Sequence, residues 1–285
     1  MPLRNIGVLN PGEMGASLAS ALKNSGHQVW WASEGRSAVT RRRADAAALH
    51  DAGNIENLCR SCETIITVCP PEFAEELARR VASAGFRGLY ADANAISPAR
   101  VQRISSILEA AGIRFADACI IGLPPRHREE TWIYFSGEHA PEAAAYFTAG
   151  PLEAEVLEGE IGKASALKMV FAAHTKGLAA LRAAVLGAAA QLGVLPDLEK
   201  QWARSGPPMA QAVASIQHVA PKAWRFVAEM KEIASTFEAA GMPPGFHRAA
   251  EEIFARLAPF KGAGEISLEA ALRELTEGQE KSAAS

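Results

Sequence analysis

A lysine in apolar surroundings is the first residue of this sequence whose type and place could serve chemistry. Lys168 lies between Leu167 and Met169, in an alanine- and leucine-rich stretch from Ile161 to Gly193 that contains no proline. Such a stretch predicts a buried helix of about 30 residues. Burying an ammonium group is costly unless the group is paired or used. The alternative is that the ammonium of Lys168 reaches solvent on its apolar stem.

A turn near the start of the chain is a second candidate, because it could hold phosphates. It lies between an apolar run at 5–9 and a helical pattern that extends to Lys23, and another apolar run follows at 28–32. Strand, glycine-containing turn, helix and strand within about 30 residues is the layout of a dinucleotide-binding βαβ unit. An ordinary tight turn is the alternative. The turn, whose first five residues we expect to contact the cofactor, consists of Asn10, Pro11, Gly12, Glu13, Met14 and Gly15.

Three positions of this turn have separate tasks in a dinucleotide site. Asn10 stands where the usual pattern has its first glycine, and we expect it to keep the turn by adopting a positive φ. Gly12 would let the backbone approach a pyrophosphate, and Gly15 would let the helix pack against the strand. The free amides at the helix N-terminus would then bind the phosphates.

The end of the second predicted strand distinguishes the two nicotinamide cofactors. NAD sites usually place an Asp or Glu there, which bonds the ribose 2′-hydroxyl. Ser33 occupies this place, and Arg36 follows it closely. A small hydroxyl beside an arginine suits a 2′-phosphate, so we expect NADP. NAD is the alternative if Glu34 points inward.

Apolar strands and helical patterns alternate along the first 160 residues. This alternation predicts a parallel sheet covered on both faces, which is a Rossmann-type, doubly wound α/β fold. Ligands bind at the carboxyl ends of the strands in such sheets, so Cys69, Pro70, Asn94 and Gly122 join the candidate site. Asn94 has a second interpretation as a helix cap. Strands are predicted at 63–69, 87–92, 114–121, 132–136 and 154–157, and helices at 72–84, 94–111 and 141–148.

The second half of the chain predicts only helices. We expect a Rossmann domain at 1–160 and an all-α domain at 161–285, joined by the long helix. The apolar surface of that helix exceeds what one small domain can cover, so we expect a homodimer formed through the helical domain. From about residue 264 the chain is acidic, small and polar, and we expect its last few residues to be disordered. The other helices are predicted at 197–204, 209–218, 222–240 and 245–259.

Four stretches of the chain form a recognisable series: IGVLNPGEMG at 6–15, DANAISP at 92–98, DACIIGLP at 117–124 and GKASALK at 162–168. In their order and distances they resemble the β-hydroxyacid dehydrogenase superfamily, to which the 6-phosphogluconate and 3-hydroxyisobutyrate dehydrogenases belong. A fifth stretch, EMKE at 229–232, is similar to a later Lys-Asp pair of the family. The C-terminal part is most similar to a 6-phosphogluconate-dehydrogenase-like branch with a domain of unknown function.

The resemblance implies an NAD(P)-dependent enzyme of which Lys168 is the general acid/base. In the family this lysine exchanges a proton with the substrate oxygen while hydride moves between the substrate carbon and the nicotinamide. Lys231 stands in the place of the later lysine and is implied to reach the cofactor; an exposed surface lysine is its alternative. Two other functions stay open. One is an imine reductase of similar architecture, although those enzymes usually lack the lysine, and the other is an NADP-binding protein without turnover.

The chain departs from the family where the substrate is held. The family loop reads Asp-Ala-Pro-Val-Ser-Gly-Gly; here Ile121 replaces the serine, Gly122 is kept and Leu123 replaces the last glycine. One helical turn after the lysine, Ala172 replaces an asparagine. Two polar contacts have become apolar, which argues against a small hydroxy acid held in the usual way. His174 could supply a replacement contact with the small-molecule substrate, or it could be a satisfied core histidine.

Composition and charge limit the remaining function classes. The chain has 285 residues, of which 21% are charged, and a net charge of −3 at pH 7. This is typical of a globular protein and does not favour nucleic acid as a partner, and we expect the basic run Arg41–Arg43 on a solvated helix face. The Cys59–Cys62 pair lacks the further ligands of a zinc site, so we expect no metal and free thiols. We find no signal peptide and no charge-free apolar run of 18 residues, and we therefore expect a cytoplasmic protein without a membrane partner.

Overall fold

The computed structural model describes residues 2–125 and 127–282, and its first part is an α/β domain built on one eight-stranded sheet. The strand order is β3-β2-β1-β4-β5-β6-β7-β8, and every pair of neighbours except β6 and β7 is parallel. The predicted Rossmann-type α/β fold is therefore confirmed. The strands are β1 (Asn5–Val8), β2 (Gln28–Trp31), β3 (His50–Asp51), β4 (Thr64–Thr67), β5 (Leu89–Asp92), β6 (Arg114–Ile121), β7 (Thr131–Ser136) and β8 (Leu152–Val156).

The strand β7 departs from the predicted parallel arrangement. It pairs antiparallel with β6, from Asp117 opposite Ser136 to Ile121 opposite Trp132, and parallel with β8. The connection 122–130 between β6 and β7 is shorter than the dozen or so residues that a parallel crossover needs. The chain therefore turns back directly beside β6, and this hairpin forms the loop that contains Gly122.

Helices pack on the sheet in the first part of the chain and form all of the second part that the structure describes. The long apolar stretch forms one continuous helix, as predicted. The helices are α1 (Glu13–Asn24), α2 (Ala38–Ala46), α3 (Ile55–Ser61), α4 (Ala74–Ser83), α5 (Pro98–Ala110), α6 (Ala140–Ala144), α7 (Lys163–Gln191), α8 (Leu195–Ser205), α9 (Met209–Val219), α10 (Ala223–Ala239), α11 (Gly245–Leu257) and α12 (Leu268–Ser282).

The sequence did not reveal four elements: α2 and β3 bury almost no apolar side chain, α3 has only seven residues, and α12 lies in an acidic, small and polar tail. In α2 only Ala44 is buried, and the helix is capped by Ser37, whose hydroxyl accepts a hydrogen bond from the Thr40 amide at 3.2 Å. The two residues of β3 are both exposed. The predicted polar tail instead contains α12, which buries Ala271 and Leu275 one turn apart. Residues 283–285, at the end of the segment predicted to be disordered, lie outside the described residues.

Both faces of the sheet are covered by apolar side chains. Ile65 and Ile66, consecutive residues of β4, are each 0% exposed and belong to separate core clusters on the two faces. Because successive side chains of a strand point to opposite faces, a strand buried on both faces reads as a continuous apolar run. This explains why the central strands were visible in the sequence.

The chain divides into two compact units after Met169, inside α7, whereas the sequence placed the boundary at the start of this helix. By length and composition alone α7 could cross a membrane, since an 18-residue window of it has a mean hydropathy of 1.3; 44% of that window is buried in the protein. Core helices of globular proteins meet the same two criteria, so this property carries little weight by itself.

Candidate active site

The turn between β1 and α1 has the geometry of a phosphate-binding loop. The amide of Gly12 donates a hydrogen bond to the carbonyl of Asn10 at 2.8 Å, and α1 starts at the next residue, Glu13. No side chain caps this N-terminus, so its first amides are free to bind an anion. The expected positive φ at Asn10 is wrong: among the described residues, only Ala48 and Glu129 are non-glycines with positive φ. The Gly12–Asn10 hydrogen bond closes the turn without it.

The two glycines of the turn lie in different surroundings. A Cβ atom on Gly15 would lie 2.1 Å from the carbonyl oxygen of Asn10, so any larger residue would push α1 away from the turn. A Cβ atom on Gly12 would meet nothing within 4 Å. Gly15 is thus required by packing inside the protein, whereas Gly12 leaves space in front of the helix. The other turn residues lie around this space: Pro11 is buried, Met14 packs against the core and Glu13 forms an ion pair with Arg43 at 3.6 Å.

Arginines gather at the end of β2, where Ser33 and Arg36 were predicted to bind the cofactor. Ser33 is 7% exposed, and its carbonyl accepts a hydrogen bond from Nη2 of Arg41 at 2.7 Å. Burial, reinforced by the positive charge of Arg80, lowers the pKa of Arg36. The Nε of Arg36 is buried without a hydrogen-bond partner among the described residues. Arg41 is therefore not only part of a solvated face, because it also binds the backbone at the end of β2.

The ends of β4 and β5 are tied together by Asn94. Its side-chain oxygen accepts a hydrogen bond from the Cys69 amide at 2.5 Å, and its own amide donates to Oδ1 of Asp92 at 2.9 Å. Asn94 is 1% exposed and does not cap α5, whose N-cap residue is Ser97. The helix-cap interpretation of Asn94 is therefore wrong. Cys69 and Pro70 follow β4 at the same sheet edge as the β1–α1 turn, as predicted, because β1 and β4 are parallel neighbours.

Lys168 lies at the carboxyl end of β6. Its Nζ donates a hydrogen bond to the carbonyl of Ile120 at 2.7 Å, and its side chain is half-buried. The ammonium therefore neither extends freely into solvent nor lies deep in the core. Parallel strands of this sheet end at one edge, and Lys168 is anchored at that edge, where ligands bind in this class of fold.

Asp117 is a residue of this site that the sequence analysis did not single out. It is 0% exposed in the middle of β6, and its carboxylate accepts hydrogen bonds from the first turn of α7, the helix that carries Lys168. The sequence held a signal for it, because a carboxylate inside an otherwise apolar strand needs buried donors. That signal lay within the DACIIGLP stretch at 117–124.

The loop after β6 has apolar side chains at the positions where the family loop has a serine and its last glycine. Ile121 is partly buried, Leu123 is 59% exposed, and the carbonyl of Leu123 accepts a hydrogen bond from the hydroxyl of Thr131. Gly122 has φ +131°, and a Cβ atom there would lie 2.4 Å from Oγ1 of Thr131. A glycine is therefore obligatory at the tip of this hairpin.

The three predicted site residues of the second unit, Ala172, His174 and Lys231, lie in different surroundings. Ala172 is 1% exposed. His174 is exposed and lines a cleft of about 430 Å³ with Phe237, Phe246 and His247, so it is not a core histidine. On an α-helix six residues correspond to roughly 120° of net rotation, so His174 does not face the side of α7 that carries Lys168.

Lys231, the third of these residues, lies on α10. Its side chain is 64% exposed, and its Nζ lies 3.4 Å from Oε1 of Glu251. Lys231 is therefore an exposed surface lysine, which was the alternative interpretation of this residue. Buried charge in this unit lies elsewhere: Lys176 and Glu229, 14% and 13% exposed, form an ion pair of 2.6 Å.

The residues of the first unit fit a dinucleotide. Phosphates would bind to the free amides at the start of α1, in the open space in front of Gly12, and to the unpaired Nε of Arg36. Lys168 would lie near the nicotinamide, which is the end of the dinucleotide that reacts. Within residues 2–125 and 127–282, the structure shows no group of three or more His, Cys, Asp or Glu side chains that could hold a metal ion.

Comparisons with known proteins agree with this two-part organisation. Residues 5–146 match the NAD-binding domain of 6-phosphogluconate dehydrogenase, and residues 189–257 match a domain of unknown function, DUF1932. The chain is 32% identical to a conserved protein of unknown function whose structure was described as similar to 3-hydroxyacid dehydrogenases. That match covers 90% of this chain and 97% of the other, with a TM-score of 0.65.

More distant structures show the same fold. A 3-hydroxyisobutyrate dehydrogenase from Salmonella typhimurium is 19% identical, covers 94% of this chain and 98% of its own, and has a TM-score of 0.67. An imine reductase from Myxococcus stipitatus, solved in complex with NADP+, is 17% identical, covers 96% and 100%, and has a TM-score of 0.54. The fold thus occurs in enzymes named for two different reactions.

Proposed function

Because the chain belongs to the β-hydroxyacid dehydrogenase superfamily, in the branch with a C-terminal domain of unknown function, we propose that it is an NAD(P)-dependent oxidoreductase acting on a hydroxy or carbonyl group. The observation that carries the proposal is the position of Lys168, whose Nζ is held at the carboxyl end of β6. The nicotinamide, when bound, supplies or accepts the hydride. Lys168 donates a proton to the substrate oxygen during reduction and takes it back during oxidation.

NADP is the cofactor that we propose for this site. Arg36 has a buried Nε without a partner, and its charge lies near that of Arg80, so an anion would remove an unfavourable interaction. A 2′-phosphate supplies two negative charges and several acceptor oxygens, which arginine binds well. Ser33 leaves room that an Asp or Glu would fill with repelling charge.

The substrate that we propose lacks a carboxylate beside the reacting carbon. Ile121 and Ala172 replace the polar residues by which the family holds such a group, and Leu123 adds an exposed apolar side chain. The same positions favour a second candidate, the reduction of an imine to an amine. Lys168 counts against it, because an iminium substrate already carries its proton and would be repelled by an ammonium group.

The test compares Lys168→Ala with the natural protein and with Lys200→Ala, in which an exposed lysine of α8 is removed. NADPH binding, followed by nicotinamide fluorescence, should be unchanged in both variants. Consumption of NADPH with a panel of ketones should fall at least ~100-fold in Lys168→Ala alone. Undiminished turnover in Lys168→Ala contradicts the proposal.

Two other outcomes identify the alternative functions. Turnover that appears only when amines are added to the ketones would assign imine reduction. NADPH binding without turnover across alcohols, ketones and imines would assign a cofactor-binding protein without catalysis.

We also propose that the protein is a cytoplasmic homodimer joined through the helical unit. Four large apolar side chains of α7, Val170, Phe171, Leu178 and Leu181, are 37–52% exposed, which is unusual for one helix of a monomer. The four cysteines are free, as in a reducing compartment. Sedimentation equilibrium at micromolar concentration should give twice the chain mass, and Leu181→Glu should shift it toward the monomer; a monomeric natural protein contradicts the proposal.

A further inference from the structure

The carboxylate of Asp117 is surrounded by donors from two other elements. Its Oδ2 accepts hydrogen bonds from the hydroxyl of Ser136 at 2.9 Å, from the amide of Gly162 at 3.0 Å and from the amide of Ser165 at 3.1 Å. Its Oδ1 accepts from the hydroxyl of Ser165 at 2.6 Å. Both Asp117 and Ser136 are 0% exposed. The carboxylate thus joins β6, β7 and the start of α7 without contact with water.

The same network satisfies the amides at the start of α7. The first amides of a helix have no partner within it, and a carboxylate there is stabilised by the helix dipole. Asp117 accepts from Ser165, and the hydroxyl of Ser136 accepts from the Ala164 amide at 3.0 Å. Gly162 bends the chain into this position with φ +101°, a conformation that side chains disfavour.

Lys168 is joined to the same strand one turn further along. The bonds Ser165–Asp117 and Lys168–Ile120 each link residues 48 positions apart, so two bonds, three residues apart on each element, tie the start of α7 to β6. Three residues are close to one helical turn, so Ser165 and Lys168 lie on the same side of α7. The position of the ammonium follows from where the helix starts, and the helix start is fixed by the carboxylate.

We propose that Asp117 is a positioning residue for Lys168. By accepting hydrogen bonds from Ser165 and Gly162, it fixes the first turn of α7 beside β6, so that the Lys168 ammonium lies at the carboxyl end of β6. Its importance for turnover rests on the proposed function of Lys168. Its effect on the position of the ammonium does not rest on that function. The effect on turnover and the effect on position are therefore measured separately.

The first experiment measures the place of Lys168 in the protein without substrate or cofactor. Limited acetylation with sulfosuccinimidyl acetate, followed by proteolysis and mass spectrometry, gives the reaction rate of Lys168 relative to Lys200, which is 69% exposed. In the natural protein Lys168 should react more slowly, because it is half-buried and donates to Ile120. Asp117→Asn and Ser165→Ala should each raise the ratio about fivefold, the change expected when one net hydrogen bond no longer holds the group.

The matched control is Ser105→Ala. Ser105 is 3% exposed on α5 and, like Ser165, donates to a carboxylate, that of Glu109, four residues on. Its loss should lower stability without changing the Lys168 ratio. If Asp117→Asn does not fold, Ser165→Ala still decides the matter, because it removes one bond and leaves the carboxylate in place. An unchanged ratio in folded Ser165→Ala and Asp117→Asn overturns the proposal.

The second experiment tests the link to catalysis. In Ser165→Ala, kcat should fall about tenfold while the dissociation constant of NADPH and KM change less than twofold, since only the proton partner has moved. A cap that merely stabilises the helix would lower the melting temperature and leave kcat intact. A raised acetylation ratio in a natural protein that shows no turnover would contradict the proposed function and keep the positioning role.

Discussion

The hydroxyl of Ser165 lies 2.6 Å from Oδ1 of Asp117, and this contact ties the first turn of α7 to the middle of β6. It is a hydrogen bond to a charged group that is fully removed from water, a setting in which such bonds are strong. Lys168 follows Ser165 by one turn, so in our proposal the residue with the chemical role is placed by a residue that is only 1% exposed.

The two glycines of the β1–α1 turn should differ in what their substitution costs. In Gly15→Ala the new methyl group would overlap the Asn10 carbonyl, so we expect the free energy of unfolding to fall by about 2 kcal/mol and NADPH binding to be lost. Gly12→Ala meets open space and should fold normally, but it should weaken NADPH binding at least tenfold by blocking a phosphate. Urea unfolding and fluorescence titration measure the two effects. Equal loss of stability in both variants would contradict this division of tasks.

The arginines after β2 should decide between the cofactors. We expect Arg36→Ala to weaken NADPH binding about tenfold or more and to leave NADH binding within twofold, because only the first has a 2′-phosphate. The matched control is Arg42→Ala, an exposed arginine of α2, which should change neither. Dissociation constants for both cofactors, measured in low and moderate salt, give the answer. An equal loss for NADH and NADPH would assign Arg36 a structural role instead.

The CxxC pair should behave as inert thiols. Burial raises the pKa of Cys59 to about 11 and that of Cys62 to about 12, so few of their thiolates exist at pH 8. We expect iodoacetamide to modify both at least ~100-fold more slowly than a free thiol, and to modify all four cysteines rapidly in denaturant. Fast modification of Cys59 in the folded protein, or a disulfide after mild oxidation, would show that the pair is accessible.

Asp92 should make stability depend on pH in an unusual direction. Burial, followed by the charge of Asp117, raises its pKa to about 7, far above the ordinary value of 3.8 that applies to the unfolded chain. The folded protein therefore holds this proton up to about pH 7, while the unfolded chain releases it near pH 4. Ionisation then costs the folded state, so the contribution of Asp92 to stability falls as pH rises from about 4 to 7.

The substitution Asp92→Asn isolates this effect. The variant keeps the acceptor for the Asn94 amide and has no charge to ionise. We expect its free energy of unfolding, relative to the natural protein, to rise by on the order of 2–4 kcal/mol between pH 5 and pH 8. Urea unfolding of both proteins at several pH values measures the difference. A constant difference over this range would show that Asp92 stays ionised in the folded protein.

The elements that could be predicted from the sequence are those with a clear apolar pattern within their own residues. Ile65 and Ile66 are buried on opposite faces, so β4 was readable as a continuous apolar run, and α7 was readable from its length. By contrast, α2 buries one alanine, and its start depends on a single serine cap, so composition alone indicated only a charged surface. The antiparallel β7 could have been predicted from the short connection after Ile121, a constraint of chain length and not of residue type.

Site residues that act through contacts distant in sequence were harder to predict. The role of Asn94 as a bridge to the Cys69 amide, in place of a helix cap, depends on the pairing of β4 with β5. The position of His174 depends on helical rotation, which sequence spacing gives, but its exposure depends on what packs against α7. A carboxylate in an apolar strand marks Asp117 in the sequence, but its donors, 19 to 48 residues away along the chain, can be identified only after folding brings them together.

The division of the chain after Met169 assigns Lys168 to the same compact unit as the β1–α1 turn, although most of α7 belongs to the other unit. The proposed proton donor and the proposed cofactor loop thus belong to one module of the chain. Exchanging residues 170–285 for those of a relative would leave the Lys168 amine in place. A chimeric protein joined at this point would take its second unit from the relative and keep Lys168, the loop after β6 and the β1–α1 turn together.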